Sequence, residues 1–495
     1  MSDLAVRHKN HDTTTSPEQV RRKPLPGYLR TLYSLRDIGY FIVLISATIA
    51  VTYFSSGIIT VLWYLVVLIL YAISKNEGFW LAFFLATVDG FMGFLGLYSI
   101  TLKIIPDLPG IELAQFYVII ALIKAISKRK TSQVFYFKYL QLLLLYVIFM
   151  IAWGQISGFS GGLNTYLRVF KMVLPLTLFY SIPALFSDAK SYEKFFSLVF
   201  FILIVAFLTQ LFSLLTGIEP AKSALVDEEL FSEPGTFRGF FNAAATLLSL
   251  FGALYYLSMR RQKAFSQGIL YLVVSSALGM AVISATRGWI IGLGLVVVIQ
   301  ASILFSMGRQ SIPWLVVFVL ILFFAGMSNP KIKKQVQYSK ERVMTLGTLS
   351  EGDVSANKTL YRLTVRSPAV MRVWRQKPLF GWGFSDASWT YGDGHVGNQN
   401  ILLYSGIAGF LLLAGFLIRF SYVMIRRFIQ SRRFRKVRPE FLVFPVFLLG
   451  WFVIHSTSGQ QFGFSGLPLH IIPQAVFFSL GALLYQQTKK VPDAR

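Results

Sequence analysis

The chain of 495 residues contains no cysteine. That excludes disulfides, thiolate nucleophiles and Cys-ligated zinc or iron–sulfur centres. Histidine is scarce, with 5 residues, and acidic residues number 22 against 47 Lys and Arg. Only 14% of residues are charged, against about 25% in an ordinary soluble domain. Polar surface is too sparse to cover a soluble core, while 55% of the chain is apolar and 16% aromatic. A soluble enzyme, a disordered protein and a small secreted scaffold are all excluded. The apolar runs are continuous rather than alternating, which excludes a transmembrane barrel. What remains is an all-α polytopic membrane protein.

Fourteen apolar runs read as spans: 38–54, 58–74, 79–97, 113–127, 139–157, 167–186, 195–216, 239–258, 267–284, 288–307, 313–327, 400–418, 440–456 and 468–486. Residues 1–37 read as a basic cytoplasmic tail carrying Arg7, Lys9, Arg21, Arg22, Lys23, Arg30 and Arg36, with no apolar core that would make it a cleavable signal. Residues 38–327 form an N-terminal bundle of about 11 spans, 328–399 a large extracytoplasmic loop, and 400–495 a C-terminal bundle of about three spans with a short cytoplasmic tail. With the N-terminus inside, 30 Lys/Arg fall on the cytoplasmic side and 17 outside, and 11 of those 17 lie in the 72-residue loop 328–399. Long loops are exempt from the positive-inside rule, so the count supports this orientation. The net charge of +25 then reflects membrane topology rather than nucleic acid.

The long loop contains "LYRLTVRSPAVMRVWRQKP". Leu360, Leu363, Val370, Val373 and Trp374 could face the membrane or the bundle. Pro368 predicts two short helices rather than one, and Pro378 a stop before the turn "FGWGF". The other long outer segment, 217–238, is acidic in the middle at Asp227, Glu228 and Glu229.

Few residues can carry chemistry. His8 and His11 lie in the tail, while His395, His455 and His470 all fall outside; they lack the close spacing of a metal site. His395 lies in the polar "GDGHVGNQN" just before a span, with no core to fill, and a neutral imidazole can take a proton from a hydroxyl. Arg238 and Arg287 each sit at the outer end of a span. Arginine there either snorkels to headgroups or serves a wet site, and a guanidinium suits phosphate. Arg168 and Lys171, one turn apart, are similar candidates. Asp89 is the one carboxylate well inside a run and could mark transport or a pairing between helices.

From His395 the sequence reads "HVGNQNILLYSGIAG", with Gly406 11 residues and Gly409 14 residues on. This resembles the motif of the O-antigen ligases and Wzy-type O-antigen polymerases, from which Val396 departs at the second position. "QKPLFGWGF" resembles that family's Pro-x-x-Gly-x-Gly turn, preceded by a helix with an Arg, here Arg362 or Arg366. "SATRGW" resembles its Ser/Thr-Arg element, and "FRGFFNAAATLL" loosely its Arg- and Asn-containing region with altered spacing. The resemblance covers mainly residues 230–420. It implies a GT-C-type membrane glycosyltransferase in the bacterial cytoplasmic membrane, acting extracytoplasmically on an undecaprenyl-pyrophosphate-linked glycan and a glycan acceptor. No metal or other cofactor and no nucleic acid would be involved; a chain-length regulator protein is a possible partner. Implied catalytic residues are His395, Arg287 and Arg238, with Arg362, Arg366, Asn398, Asn400, Arg168 and Lys171 binding substrate. A polysaccharide polymerase is the first expectation, a ligase to lipid A core or protein the second, and a lipid-linked oligosaccharide flippase the third.

The orientation is directly testable, because any introduced cysteine is the only thiol. A cysteine at Ser385 should be labelled by an impermeant maleimide from the extracytoplasmic side; labelling only from the cytoplasmic side would overturn the topology.

Overall fold

In hydrocarbon every backbone N–H and C=O needs an internal partner, so apolar runs of this length fold as helices. The computed structural model describes residues 27–55, 57–95, 100–102, 110–128, 134–218, 231–233, 236–259, 264–347, 362–433 and 437–489. The N-terminal half contains α1 (Gly27–Phe54), α2 (Gly57–Ile73), α3 (Glu77–Thr87), α4 (Leu113–Ser127), α5 (Phe137–Ile156), α6 (Leu163–Val173), α7 (Leu178–Leu185) and α8 (Ala189–Thr216). There follow α9 (Ala243–Ser258), α10 (Gln267–Ile283), α11 (Arg287–Ser306), α12 (Ser311–Met327), α13 (Pro330–Met344), α14 (Ser367–Trp374) and α15 (Asp386–Tyr391). Last come α16 (Gly397–Arg433), α17 (Glu440–Thr457) and α18 (Pro468–Lys489). Two-residue strands β1 (Thr101–Leu102) and β2 (Ile111–Glu112) pair antiparallel, as do β3 (Phe231–Glu233) and β4 (Thr236–Phe237).

Among the described residues eight helical segments are long and apolar enough to cross a membrane, or nine if the bent pair α12–α13 counts as one. Five shorter apolar helices, α2, α3, α4, α9 and α10, accompany them. The chain is therefore an all-helical, multi-pass membrane protein. Helix α12 carries a lipid-facing surface, with Trp314, Ile321 and Phe324 at least 60% exposed.

The local departures from the sequence reading have physical causes. α3 stops at Thr87, and Gly90–Gly93 form a tight turn in which Phe91 and Met92 take left-handed φ values of 46° and 60°. Asp89 accepts backbone hydrogen bonds from Ala243 and Ala244 and so caps the start of α9. α12 and α13 meet at 113° because Asn329 caps α13, accepting from the N–H groups of Lys331 (2.9 Å) and Ile332 (3.3 Å), with Pro330 in the first turn. The long loop thus opens with a helix. Pro368 does not interrupt a helix. It lies in the first turn of α14, following a wide turn over Arg362–Arg366. Val370 and Val373 pack with Val396 and Leu403, alongside Trp374 and Trp382, so this face meets the protein. Leu360 and the acidic Asp227–Glu229 lie outside the described residues.

Two backbone contacts locate the site. α11 and α17 cross at Gly292 and Gly450: a Cβ on Gly292 would lie 2.7 Å from the Gly450 carbonyl oxygen, and one on Gly450 would lie 2.4 Å from that of Gly292. Small residues permit such close packing of membrane helices. The crossing brings the start of α11 beside the end of α17. In α16, Gly406 breaks the helix with φ 63°, and "PLFGWGF" docks into the break. Ile407 N–H donates to Pro378 (2.9 Å), Ala408 to Leu379 (3.0 Å), Trp382 to Leu403 (2.8 Å) and Gly383 to Tyr404 (2.9 Å). A Cβ at Gly406 would strike the Leu379 carbonyl oxygen at 2.3 Å.

Gly450→Leu should therefore force α11 and α17 apart and cost about 1–3 kcal/mol or more. Gly294→Ala, where an added Cβ meets nothing within 4 Å, should leave stability unchanged or slightly raised. Thermal unfolding of both variants in detergent is the check.

Candidate active site

Three chain segments deliver arginines to one place. Arg238 follows β4 directly. Arg287 is the first residue of α11, after a three-residue connection in which Ala285 takes a left-handed φ of 49°. Phe240 and Trp289 pack against each other across these two segments, with ring centroids 4.4 Å apart and the planes tilted by 38°. Arg342 comes from α13. Arg287 lies within electrostatic range of Arg342, Tyr338, Arg238 and Arg362, and Arg362 within range of Arg366, Asp393, Arg342 and Arg238. Among the described residues one acid, Asp393, appears beside them; it pairs with Arg366 at 3.5 Å in a partly exposed contact of little energetic weight.

Helix α13 holds the arginine segments in register. The Gln335 side chain, 1% exposed, accepts from the Phe237 N–H (3.0 Å) and donates to the carbonyls of Phe237 (2.8 Å) and Ile283 (2.6 Å). One turn on, Ser339 donates to the Val282 carbonyl at 2.6 Å. Phe237 directly precedes Arg238, and Val282 and Ile283 end the helix before Arg287. A single face of α13, Gln335, Ser339 and Arg342, therefore clamps two arginines and supplies a third.

Arg287 is half-buried. Its Nε and Nη2 are shielded from solvent and have no hydrogen-bond partner among the described residues. A shielded cationic donor without an acceptor is costly, so this guanidinium is free to take an anionic partner. α11 and α16 both begin here, adding the positive ends of two helix dipoles.

His395 stands beside this cluster. Its N–H donates to Asp393 Oδ1 (2.9 Å), which fixes the turn before α16. Arg362 donates to the Thr457 carbonyl, and its Nη2 lies 3.3 Å from His395 Nδ1. A guanidinium only donates, so Nδ1 carries the lone pair and a neutral ring bears its proton on Nε2. Desolvation, then the charges of Arg362 and Arg366, lower the His395 pKa below its ordinary 6.5; Asp393 and the Ser458 backbone oppose them. Burial and Arg366 likewise lower that of Arg362. The imidazole is therefore neutral near pH 7.

Asn398 and Asn400 tie this turn to the α17–α18 connection. Asn398 donates to Ser456 Oγ (2.9 Å), and Asn400 donates to Gln460 Oε1 while accepting from the Asp393 N–H (3.1 Å). Gln460 N–H closes the tie on the Gly394 carbonyl (2.6 Å). Beyond His395 lies a cavity of about 440 Å³, lined on one side by this connection. Lys171 points away from the cluster, with Nζ 2.6 Å from the Gly110 carbonyl. Arg168 is exposed and interacts electrostatically with Tyr404 in the cavity wall. His455 is fully buried, and its Nδ1 accepts from the N–H groups of Gln461 (2.9 Å) and Phe462 (3.2 Å). His470 lines the cavity.

The structure thus brings together Arg238, Arg287, Arg362, Arg366 and His395, places Asn398 and Asn400 in the supporting turn, and sets Arg168 and Lys171 apart. Sequence reasoning missed Arg342, Gln335 and Ser339. A signal existed: Gln335, Ser339 and Arg342 fall at i, i+4 and i+7 on one helical face. Among the described residues no group of three or more His, Asp or Glu side chains converges as a metal site. No family model matches the chain, and no curated protein matches it.

Two measurements test this geometry. Removing a cation beside an imidazole raises its pKa, so Arg362→Ala should move the His395 midpoint upward in an NMR titration; an unchanged midpoint would contradict the contact. Gln335→Met keeps the side-chain volume and removes three hydrogen bonds. It should weaken binding of inorganic pyrophosphate about 10-fold while leaving the His395 midpoint in place.

Proposed function

We propose that this protein is a membrane glycosyltransferase that polymerises lipid-pyrophosphate-linked glycan units on the extracytoplasmic face of a bacterial cytoplasmic membrane. The observation that carries the reading is Arg287, whose shielded Nε and Nη2 have no acceptor among the described residues, inside an arginine cluster beside a neutral His395. Fixed guanidinium groups can stabilise a departing pyrophosphate, a task that otherwise falls to a metal. The motif resemblance agrees with it, as does the multi-pass helical architecture, in which eight helical segments among the described residues, or nine with the α12–α13 pair, are long and apolar enough to cross a membrane. The fourteen spans expected from the sequence favour polymerase over ligase.

Arg287, Arg238, Arg342 and Arg362 hold the donor pyrophosphate. As Arg362 turns onto it, His395 Nδ1 is uncovered. The acceptor hydroxyl oxygen attacks the donor sugar C1 as the C1–O bond to pyrophosphate breaks. The hydroxyl proton passes to Nδ1, and the bonding pair leaves with the pyrophosphate. The imidazolium then loses its proton to solvent.

His395→Ala should reduce turnover by about 10²-fold or more and leave donor binding intact. Arg287→Ala should weaken both, since its contact exists in ground and transition states. Arg287→Lys should restore only part, because an ammonium keeps the charge and loses the planar fork. These constants come from purified protein with lipid-linked glycan. A fully active His395→Ala protein would remove the base assignment. In a deletion strain, single repeat units on the lipid core would mark a lost polymerase, and unattached polymer on its lipid carrier a lost ligase.

A further inference from the structure

The cavity beyond His395 has a chemistry opposite to that of the arginine cluster. Its volume of about 440 Å³ falls within the roughly 300–1,000 Å³ of small-molecule sites. Trp289, Tyr404, Phe462 and Phe464 give it aromatic walls, and among the described residues no Lys, Arg, Asp or Glu lines it. The hydroxyls of Tyr404 and Ser465 and the ring of His470 also line it, and these groups have no hydrogen-bond partner among the described residues. Unspent donors and acceptors between aromatic faces fit a ligand that is apolar on its ring faces and polar at its edges. A carboxylate or phosphate entering this space would meet no charged side chain in the lining itself; Arg362, beside His395, and Arg168, which acts on Tyr404, stand outside it.

The wall is preformed. The 458–467 connection is fixed to α17 through His455 Nδ1, to α18 by Gln474 donating to the Gln461 carbonyl (2.7 Å), and to α6 by Gly466 N–H on the Met172 carbonyl (2.9 Å). Gly394, His395 and Ser458 are among its lining residues. His395 therefore stands between two sites: the arginines on one side and this cavity on the other.

We infer that the cavity binds the acceptor end of the glycan and that the 458–467 connection selects an uncharged, hydroxyl-rich sugar. This rests on the transferase reading above and adds to it the class of acceptor and the segment that reads it. The lining, with no charged side chain among the described residues, disfavours uronic acids and phosphorylated sugars.

The test uses the full chain in lipid nanodiscs. Ser465→Cys places a single thiol in the cavity, and Ser458→Cys provides a second position should the first fail to fold. The rate of iodoacetamide alkylation is measured with the repeat-unit oligosaccharide released by mild acid from the producing cell's lipid-linked pool, and separately with inorganic pyrophosphate. The oligosaccharide should be uncharged and should slow alkylation at least 5-fold; pyrophosphate should not. Gln460→Ala should raise the apparent KM for acceptor about 10-fold and leave that for donor unchanged. A repeat unit bearing carboxylate or phosphate, or a thiol left unprotected by the oligosaccharide, would overturn the proposal. If Arg287→Ala still lost donor binding in that case, the transferase reading would stand and only the acceptor assignment would fall.

Discussion

The close crossing of α11 and α17 at Gly292 and Gly450 is the contact on which the site depends. Side chains larger than hydrogen would hold the helices apart. With them in contact, Arg287 at the start of α11 comes beside Thr457 and Ser458 at the end of α17. That end also supports Arg362 and the His395 turn. The second anchor, the Gly-rich turn plugged into the α16 break, holds the chain that leads into that turn. Both anchors are backbone-to-backbone contacts, which suits a site that must keep several like charges together.

Gathering arginines opposes stability, because like charges repel and each loses water. The fold resists this repulsion with neutral hydrogen bonds. Gln335 and Ser339 are buried, spend their polar atoms on the carbonyls and N–H groups flanking Arg238 and Arg287, and carry no charge themselves. The repulsion remains available to an anionic ligand, whose binding relieves it. Burial, and then the same field, lower the His395 pKa and keep its imidazole neutral beside the cations. Cation cluster and base are thus electrostatically coupled through Arg362.

Much of the architecture was legible in the sequence, because continuous apolar runs dictate helices whatever they pack against. Helix overlaps each of the fourteen runs, although only eight helical segments among the described residues, or nine with the bent pair, are long and apolar enough to cross a membrane. The tight turn at Gly90–Gly93 and the bend at Asn329–Pro330 were harder to read. The first depends on Asp89 reaching the start of α9 far along the chain, and the second had a cap signature inside a segment taken as loop. At the site, His395, Arg238, Arg287, Arg362 and Arg366 were readable from residue type and motif. Gln335 and Gln460 were not, since a glutamine announces no role until its partners are known. Lys171, legible as a candidate by its position, is drawn to the Gly110 carbonyl by packing that no local pattern encodes.

The central claim is that the arginine cluster seats a pyrophosphate and that seating it frees His395. A cryo-electron microscopy structure of the full chain in nanodiscs with undecaprenyl pyrophosphate tests this most directly. Density for the pyrophosphate between Arg287 and Arg362, with Arg362 Nη2 withdrawn from His395 Nδ1, is the result expected. Pyrophosphate bound elsewhere, or Arg362 still in place on His395 with the ligand present, would contradict it.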